Sequence, residues 1–119
     1  MTGTAKVNVT SNECLHDKGV GIGFWGSARG TASSNTCNRD GSGASGGLCV
    51  TEHANVTLTG NQCDDNANYG ILFRDHARGV VRQNECSGND YGIIITSPAS
   101  AKLVGNTLDW NTTQAVGRW

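Results

Sequence analysis

The 119-residue chain reads as an all-β parallel solenoid of about five rungs, and three observations lead there. The triplet Asn-x-Cys recurs as Asn12-Glu13-Cys14, Asn35-Thr36-Cys37, Asn61-Gln62-Cys63 and Asn84-Glu85-Cys86, with Asn106-Thr107-Leu108 as a degenerate fifth copy. Successive repeat asparagines are therefore 23, 26, 23 and 22 residues apart. Each has an Ala seven residues earlier (Ala5, Ala28, Ala54, Ala77, Ala99) and an Asp or Asn five residues later (Asp17, Asp40, Asn66, Asn89, Asn111). Within a copy the apolar residues alternate, which is a strand signal, and do not recur at helical spacing. A unit this short cannot bury its apolar side alone; stacked copies can.

The whole of 1–119 is then one domain, with rungs starting near residues 5, 28, 54, 77 and 99. One strand of the rung reads Val7-Asn8-Val9, Val56-Thr57-Leu58 and Val80-Val81. Another reads Ile22-Gly23-Phe24, Leu48-Cys49-Val50, Ile71-Leu72-Phe73 and Ile93-Ile94-Ile95. Small or polar residues follow each, with Gly or Asn expected at corners where a left-handed backbone is cheap. A hairpin meander would need tight two-residue turns at regular places, and these are missing from the sequence. The long step of 26 comes from small residues at 41–46, read as a loop inserted into one rung. Residues 110–119 bring Trp110, Val116 and Trp119 into position to cap the last rung. At a strand spacing of about 4.8 Å, five rungs make a column roughly 24 Å long.

Charge and composition exclude several classes. Nine Lys+Arg against ten Asp+Glu give a net charge of -1, whereas a nucleic-acid binder relying on phosphate attraction is normally basic. No apolar run is long enough to cross a bilayer, so no membrane partner is expected. With 36% hydrophobic residues, 17 Gly and 12 Asn, an ordinary layered core is not available.

Registering the repeats turns positions into columns. The asparagines Asn12, Asn35, Asn61, Asn84 and Asn106 are placed to stack their amides along the axis, as Asn ladders do in cross-β stacks. Cys14, Cys37, Cys63 and Cys86 share an inward column that ends in Leu108, so they are read as packing residues, with no metal site and no cofactor expected. Cys49 falls in the alternate column with Leu72 and Ile94, predicted to face outward as an apolar stripe and partner surface. The odd thiol count and the absence of a signal-type apolar start place the chain in the cytoplasm, unless it was cut from a larger exported protein. The chemistry-bearing cluster is Glu52-His53 and Asp75-His76, stacked on adjacent rungs with Arg74 and Arg78 alongside. Stacked carboxylates raise one another's proton affinity and the arginines oppose that. Two readings stand: a general acid/base or cation site, or a solvated corner whose charges pair across rungs. Arg74, Arg78, His53 and His76 are the binding candidates in either case. Only Lys6 guards the first strand edge, so self-association is expected through that edge or through the Cys49, Leu72 and Ile94 stripe, as a closed two-fold dimer.

The run Asn-x-Cys-x-x-Asn-x-x-Tyr-Gly-Ile, from Asn61 to Ile71 and nearly intact from Asn84 to Ile93, resembles the right-handed parallel β-helix repeat of pectate-lyase-like proteins, alginate epimerases and carbohydrate-binding solenoids. The resemblance spans roughly 5–111. It implies a right-handed β-helix and, first, a small non-catalytic module for a polysaccharide or protein ligand. The alternatives it implies are a polysaccharide lyase or uronate epimerase using Glu52, His53, Arg74, Asp75 and His76, or a purely structural spacer. The epimerases' Asp-Pro-His-Glu motif is only loosely matched, since Asp75-His76 lacks the Pro and is followed by Ala77.

Overall fold

A computed structural model describes residues 4–16, 18–38 and 46–118. Asp17, Asp40, Trp119 and positions 41–45 of the inserted loop lie outside the described residues. The described chain is all β. Five strands, β1 (Lys6–Thr10), β4 (Arg29–Ser33), β7 (Asn55–Thr59), β9 (Arg78–Arg82) and β11 (Ser100–Val104), form one parallel sheet in the order β1-β4-β7-β9-β11. A second sheet contains β3 (Ile22–Phe24), β6 (Gly46–Val50), β8 (Tyr69–Phe73), β10 (Tyr91–Ile95) and β12 (Gln114–Arg118). The third side starts with β2 (Glu13–Leu15) paired to β5 (Thr36–Asn38) and continues as single bridges through Gln62, Glu85 and Thr107. Neighbours in all three sides are one repeat apart, which makes the molecule a parallel β-solenoid of about five turns.

The rungs turn three corners, mostly through residues in the left-handed region, although the first corner at 96–99 has none and carries a cis Ser97-Pro98 bond. The first corner uses Gly26, Glu52 and Asp75; the second Ser11, Ser34, Gly60, Gln83 and Gly105; the third His16, Asp65, Gly88 and Trp110. Most of these are neither Gly nor Asn, contrary to the sequence expectation. Bonds to neighbouring rungs hold the backbone there instead, for example Ser34 N–H to the Thr59 carbonyl at 3.2 Å. The repeat Asn stands immediately after the second corner. Asn61 accepts the Asn35 backbone and side-chain N–H groups on its Oδ1, at 3.0 and 2.9 Å, and its own Nδ2 donates to Asn84 Oδ1 and to the Ala32 carbonyl. Asn66, Asn89 and Asn111 form a second ladder at the third corner, with each Nδ2 donating to a Cys carbonyl one rung away (Cys37, Cys63 and Cys86).

The interior holds the Ala column, the strand apolar residues and the thiols. Cys37, Cys63 and Cys86 are fully buried and Cys14 is half-buried, and none of the five cysteines forms a disulfide. Glycines explain why thiols fill this column. A Cβ on Gly47 would lie 2.9 Å from the Cys63 Cβ, one on Gly70 2.7 Å from the Cys86 Cβ, and one on Gly92 3.2 Å from Leu108 Cδ2.

Two expectations are corrected here. Cys49 and Ile94 are only 5% exposed and Leu72 is half-buried, because Tyr69, Tyr91 and Val20 pack over the stripe. Cys49 is therefore not a surface thiol, and burial raises its pKa. At the other end, residues 114–118 do not fold across the last rung as a cap. They add β12 to the second sheet, with Val116 opposite Ile93, while Trp110 stands 89% exposed.

Candidate functional site

The corner between the second and first sheets is a four-residue turn, closed by Ala54 N–H to the Thr51 carbonyl and by Ala77 N–H to the Arg74 carbonyl, both at 3.2 Å. The second residue of each turn is an acid in the left-handed region, Glu52 or Asp75, and the third is His53 or His76. Because one turn sits directly over the other, the two imidazoles stack with centroids 5.0 Å apart and planes within 2°. Both rings are exposed. The predicted cluster is thus assembled, but its parts do different things.

The carboxylates fasten rungs together. Glu52 Oε2 accepts the Gly26 backbone N–H at 2.6 Å, and Asp75 Oδ2 accepts the Glu52 backbone N–H at 3.3 Å and the Thr51 hydroxyl. Arg74 Nε donates to Thr51 Oγ1 at 3.2 Å and lies 3.8 Å from Asp75 Oδ2. The Thr51 and Glu52 hydrogen bonds, with Arg74 and His76 nearby, hold the Asp75 carboxyl below its usual range, opposite to the rise expected from stacked carboxylates. A lowered carboxyl suits a structural acceptor better than a base waiting for a substrate proton.

The imidazoles face a groove of about 380 Å³ lined by Arg29, His53, Asn55, His76 and Arg78. The register Lys6, Arg29, Asn55, Arg78, Ser100 runs straight along the first sheet. A second hollow of about 270 Å³ shares Arg29 and continues to Lys6 and Asn8. Among the described residues neither Arg29 nor Arg78 pairs with a carboxylate.

Sequence reasoning missed how strongly the charges are sorted by side. The strands of the first sheet carry Lys6, Arg29, Arg78, Arg82 and Lys102 and no acid. The third side and its turns carry Glu13, Asp64, Asp65, Glu85, Asp90 and Asp109 against one cation among the described residues, Lys18 in the turn of the first rung. Crowding shows in Glu85, whose carboxyl is raised by its hydrogen bond to Asp64 and by the Asp64 charge. A carboxyl raised in the folded state adds stability below its unfolded pKa and loses it as pH rises through the folded value. Glu85→Gln should therefore melt higher than the parent at neutral pH and converge with it in acid. A variant that melts lower at neutral pH would contradict this.

Among the described residues no group of three or more His, Cys, Asp or Glu is arranged to hold a metal ion. The thiol column does not suit one. Contacts with Cys37 and Cys86, together with burial, push the Cys63 thiol well above its usual range, and ligation needs the thiolate. Among the described residues no helix is long and apolar enough to cross a membrane.

Comparison with known proteins gives one match: a family model described as periplasmic copper-binding protein (NosD) fits residues 2–118. Searches of curated proteins and of solved structures return no match. The periplasmic family overturns the cytoplasmic placement. That placement rested on the odd cysteine count and on the lack of a signal-type apolar start; the thiols are all at least half-buried, and buried thiols are inert whatever the compartment. Nor is the pectate-lyase-like branch what the comparison finds. With 2–118 matched and the parallel solenoid in place, the chain belongs to the NosD family of periplasmic copper-binding proteins.

Proposed function

We propose that the chain is a non-catalytic β-helix module that carries copper as cargo on its outer surface, with His53 and His76 as the protein's ligands. The observation that carries this is the exposed imidazole pair on adjacent rungs, a donor type suited to Cu(II); the rings stack with parallel planes, so they must turn about their side-chain bonds to converge on one ion. Two protein ligands leave the remaining coordination positions to water or a partner. That suits an ion that is handed on more than one that is kept. The neighbouring Arg29 and Arg78 disfavour a cation and so weaken its hold, and the nearby carboxylates of Glu52 and Asp75 offset part of this. Those carboxylates are already taken up by backbone amides, which argues against the lyase or epimerase alternative.

Calorimetric titration with Cu(II) tests the reading, with electron paramagnetic resonance reporting the donor atoms. One equivalent should bind with nitrogen hyperfine structure from imidazole. The double variant His53→Gln/His76→Gln should weaken binding by at least about tenfold, while His16→Gln, at the distant third corner, should not. Unchanged affinity in the double variant, or a spectrum without imidazole nitrogen, would refute it.

A further inference from the structure

A site for a free copper ion has no need of the two arginines that share its groove. We infer, resting on the copper reading, that the ion is taken up at His53 and His76 together with a small dianionic chelator of the dicarboxylate class, whose outer oxygens Arg29 and Arg78 hold.

The groove brings metal donors and anion donors to one space. Its hollow of about 380 Å³ is lined by both imidazoles, both guanidinium groups and Asn55. Arg29, Asn55 and Arg78 follow one another on neighbouring strands, with His53 two residues before Asn55 and His76 two residues before Arg78. The two arginines are thus separated at the backbone by two strand spacings, roughly 10 Å, which their long side chains span between them. None of these anion donors is spent elsewhere. Among the described residues neither guanidinium pairs with a carboxylate, and the Asn55 side chain makes no hydrogen bond.

Charge and coordination then select the class of anion. The Glu52 and Asp75 carboxylates balance the two guanidinium groups, so the charge of the arriving Cu(II) is left over at a site with arginines on both flanks. A dianion cancels that charge, whereas a monoanion such as chloride cancels half of it. Two imidazoles also leave half of the square plane that Cu(II) prefers to other donors. Two oxygens from adjacent carboxylates fill it in one unstrained chelate ring, and the remaining oxygens face outward to the planar donor forks of Arg. Inorganic phosphate or a single carboxylate closes only a small, strained ring.

The probes are Cu(II) and oxalate. Copper is titrated calorimetrically with and without oxalate, allowing for the copper oxalate that forms in solution. Electron paramagnetic resonance with oxalate carrying a magnetic oxygen isotope reports the ion's neighbours, and circular dichroism confirms that each variant folds. Oxalate should tighten Cu(II) binding by about fivefold or more, and copper should tighten oxalate binding by the same factor, since such coupling is reciprocal. The spectrum should keep its imidazole nitrogen structure and gain broadening from the labelled oxygen. Arg29→Gln/Arg78→Gln should abolish the gain from oxalate while holding bare Cu(II) at least as tightly as the parent. Arg82→Gln/Lys102→Gln, in other columns of the same sheet, should keep the gain. Copper affinity indifferent to loss of both histidines would remove the foundation, whereas imidazole-bound copper that oxalate strips away would sink the chelator alone. Oxalate that binds equally well without copper would overturn the shared site, and an equal gain from chloride or phosphate would overturn the chelating class.

Discussion

Asn61→Ala is expected to cost about 3–5 kcal/mol, a large share of the roughly 5–15 kcal/mol that holds a domain together. The side chain is 1% exposed and sits at the middle of its ladder. Its removal leaves the Asn35 backbone and side-chain donors without their Oδ1 acceptor and takes the Nδ2 donor from the Ala32 carbonyl, while Asn84 Oδ1 keeps only the residue-61 backbone N–H. Water cannot reach these groups, so each carries most of its desolvation cost, about 1–3 kcal/mol. Asn12→Ala, at an exposed position with one ladder neighbour, should cost only about 1 kcal/mol. Equilibrium urea unfolding of both variants measures the difference. Similar midpoints for the two would mean that the ladder contributes by packing alone.

Gly70→Ala is expected to be nearly as damaging, at about 3 kcal/mol, although it adds a single methyl group. The new Cβ would lie 2.7 Å from the Cys86 Cβ, 2.8 Å from the Gly92 carbonyl oxygen and 3.0 Å from the Cys63 carbonyl oxygen. Two of those three atoms belong to backbone, which cannot move without opening the rung. Shortening the third, in Gly70→Ala/Cys86→Gly, should therefore restore little. Gly19 makes the contrast, since nothing lies within 4 Å of a Cβ there and Gly19→Ala should be neutral. Thermal unfolding of the three variants decides it, and a Gly70→Ala protein as stable as the parent would show that the thiol column is loosely packed.

The rungs were readable because Asn, Cys and Ala recur at fixed offsets, and a solenoid translates sequence period directly into spatial column. Ala28, Ala54 and Ala77 are fully buried and the strand pairs fall one repeat apart, as that logic requires. The corners were less legible. Ser34, Glu52 and Gln83 adopt left-handed angles that propensity assigns to Gly or Asn, because rung-to-rung hydrogen bonds outweigh local preference. Cys49 was misread because alternation tells which face of a strand a residue occupies, and says nothing of Tyr69 and Tyr91 covering that face. At the candidate site, adjacency of Glu52-His53 and Asp75-His76 was enough to predict the stacked rings. It could not reveal that the acids are consumed by backbone amides, since that depends on the turn geometry. The basic character of the first sheet was hidden for a simpler reason: a net charge of -1 sums over sides that carry opposite signs.

The Asn ladder also has a direction. From Asn12 through Asn35, Asn61 and Asn84 to Asn106, every side-chain amide donates to the next Oδ1 in chain order, and none donates backwards. The amide dipoles therefore add along the axis, giving one terminus of the ladder the character of an acceptor and the other that of a donor. Among the described residues, no donor reaches Asn12 Oδ1 and no acceptor in the ladder meets the Asn106 backbone N–H. Any further rung that joins at Asn12 must offer N–H groups, and any that joins at Asn106 must offer an oxygen. Mirror-like contact of two Asn12 edges would set acceptor against acceptor, so the vector favours continuation in a single sense, like magnets laid north to south.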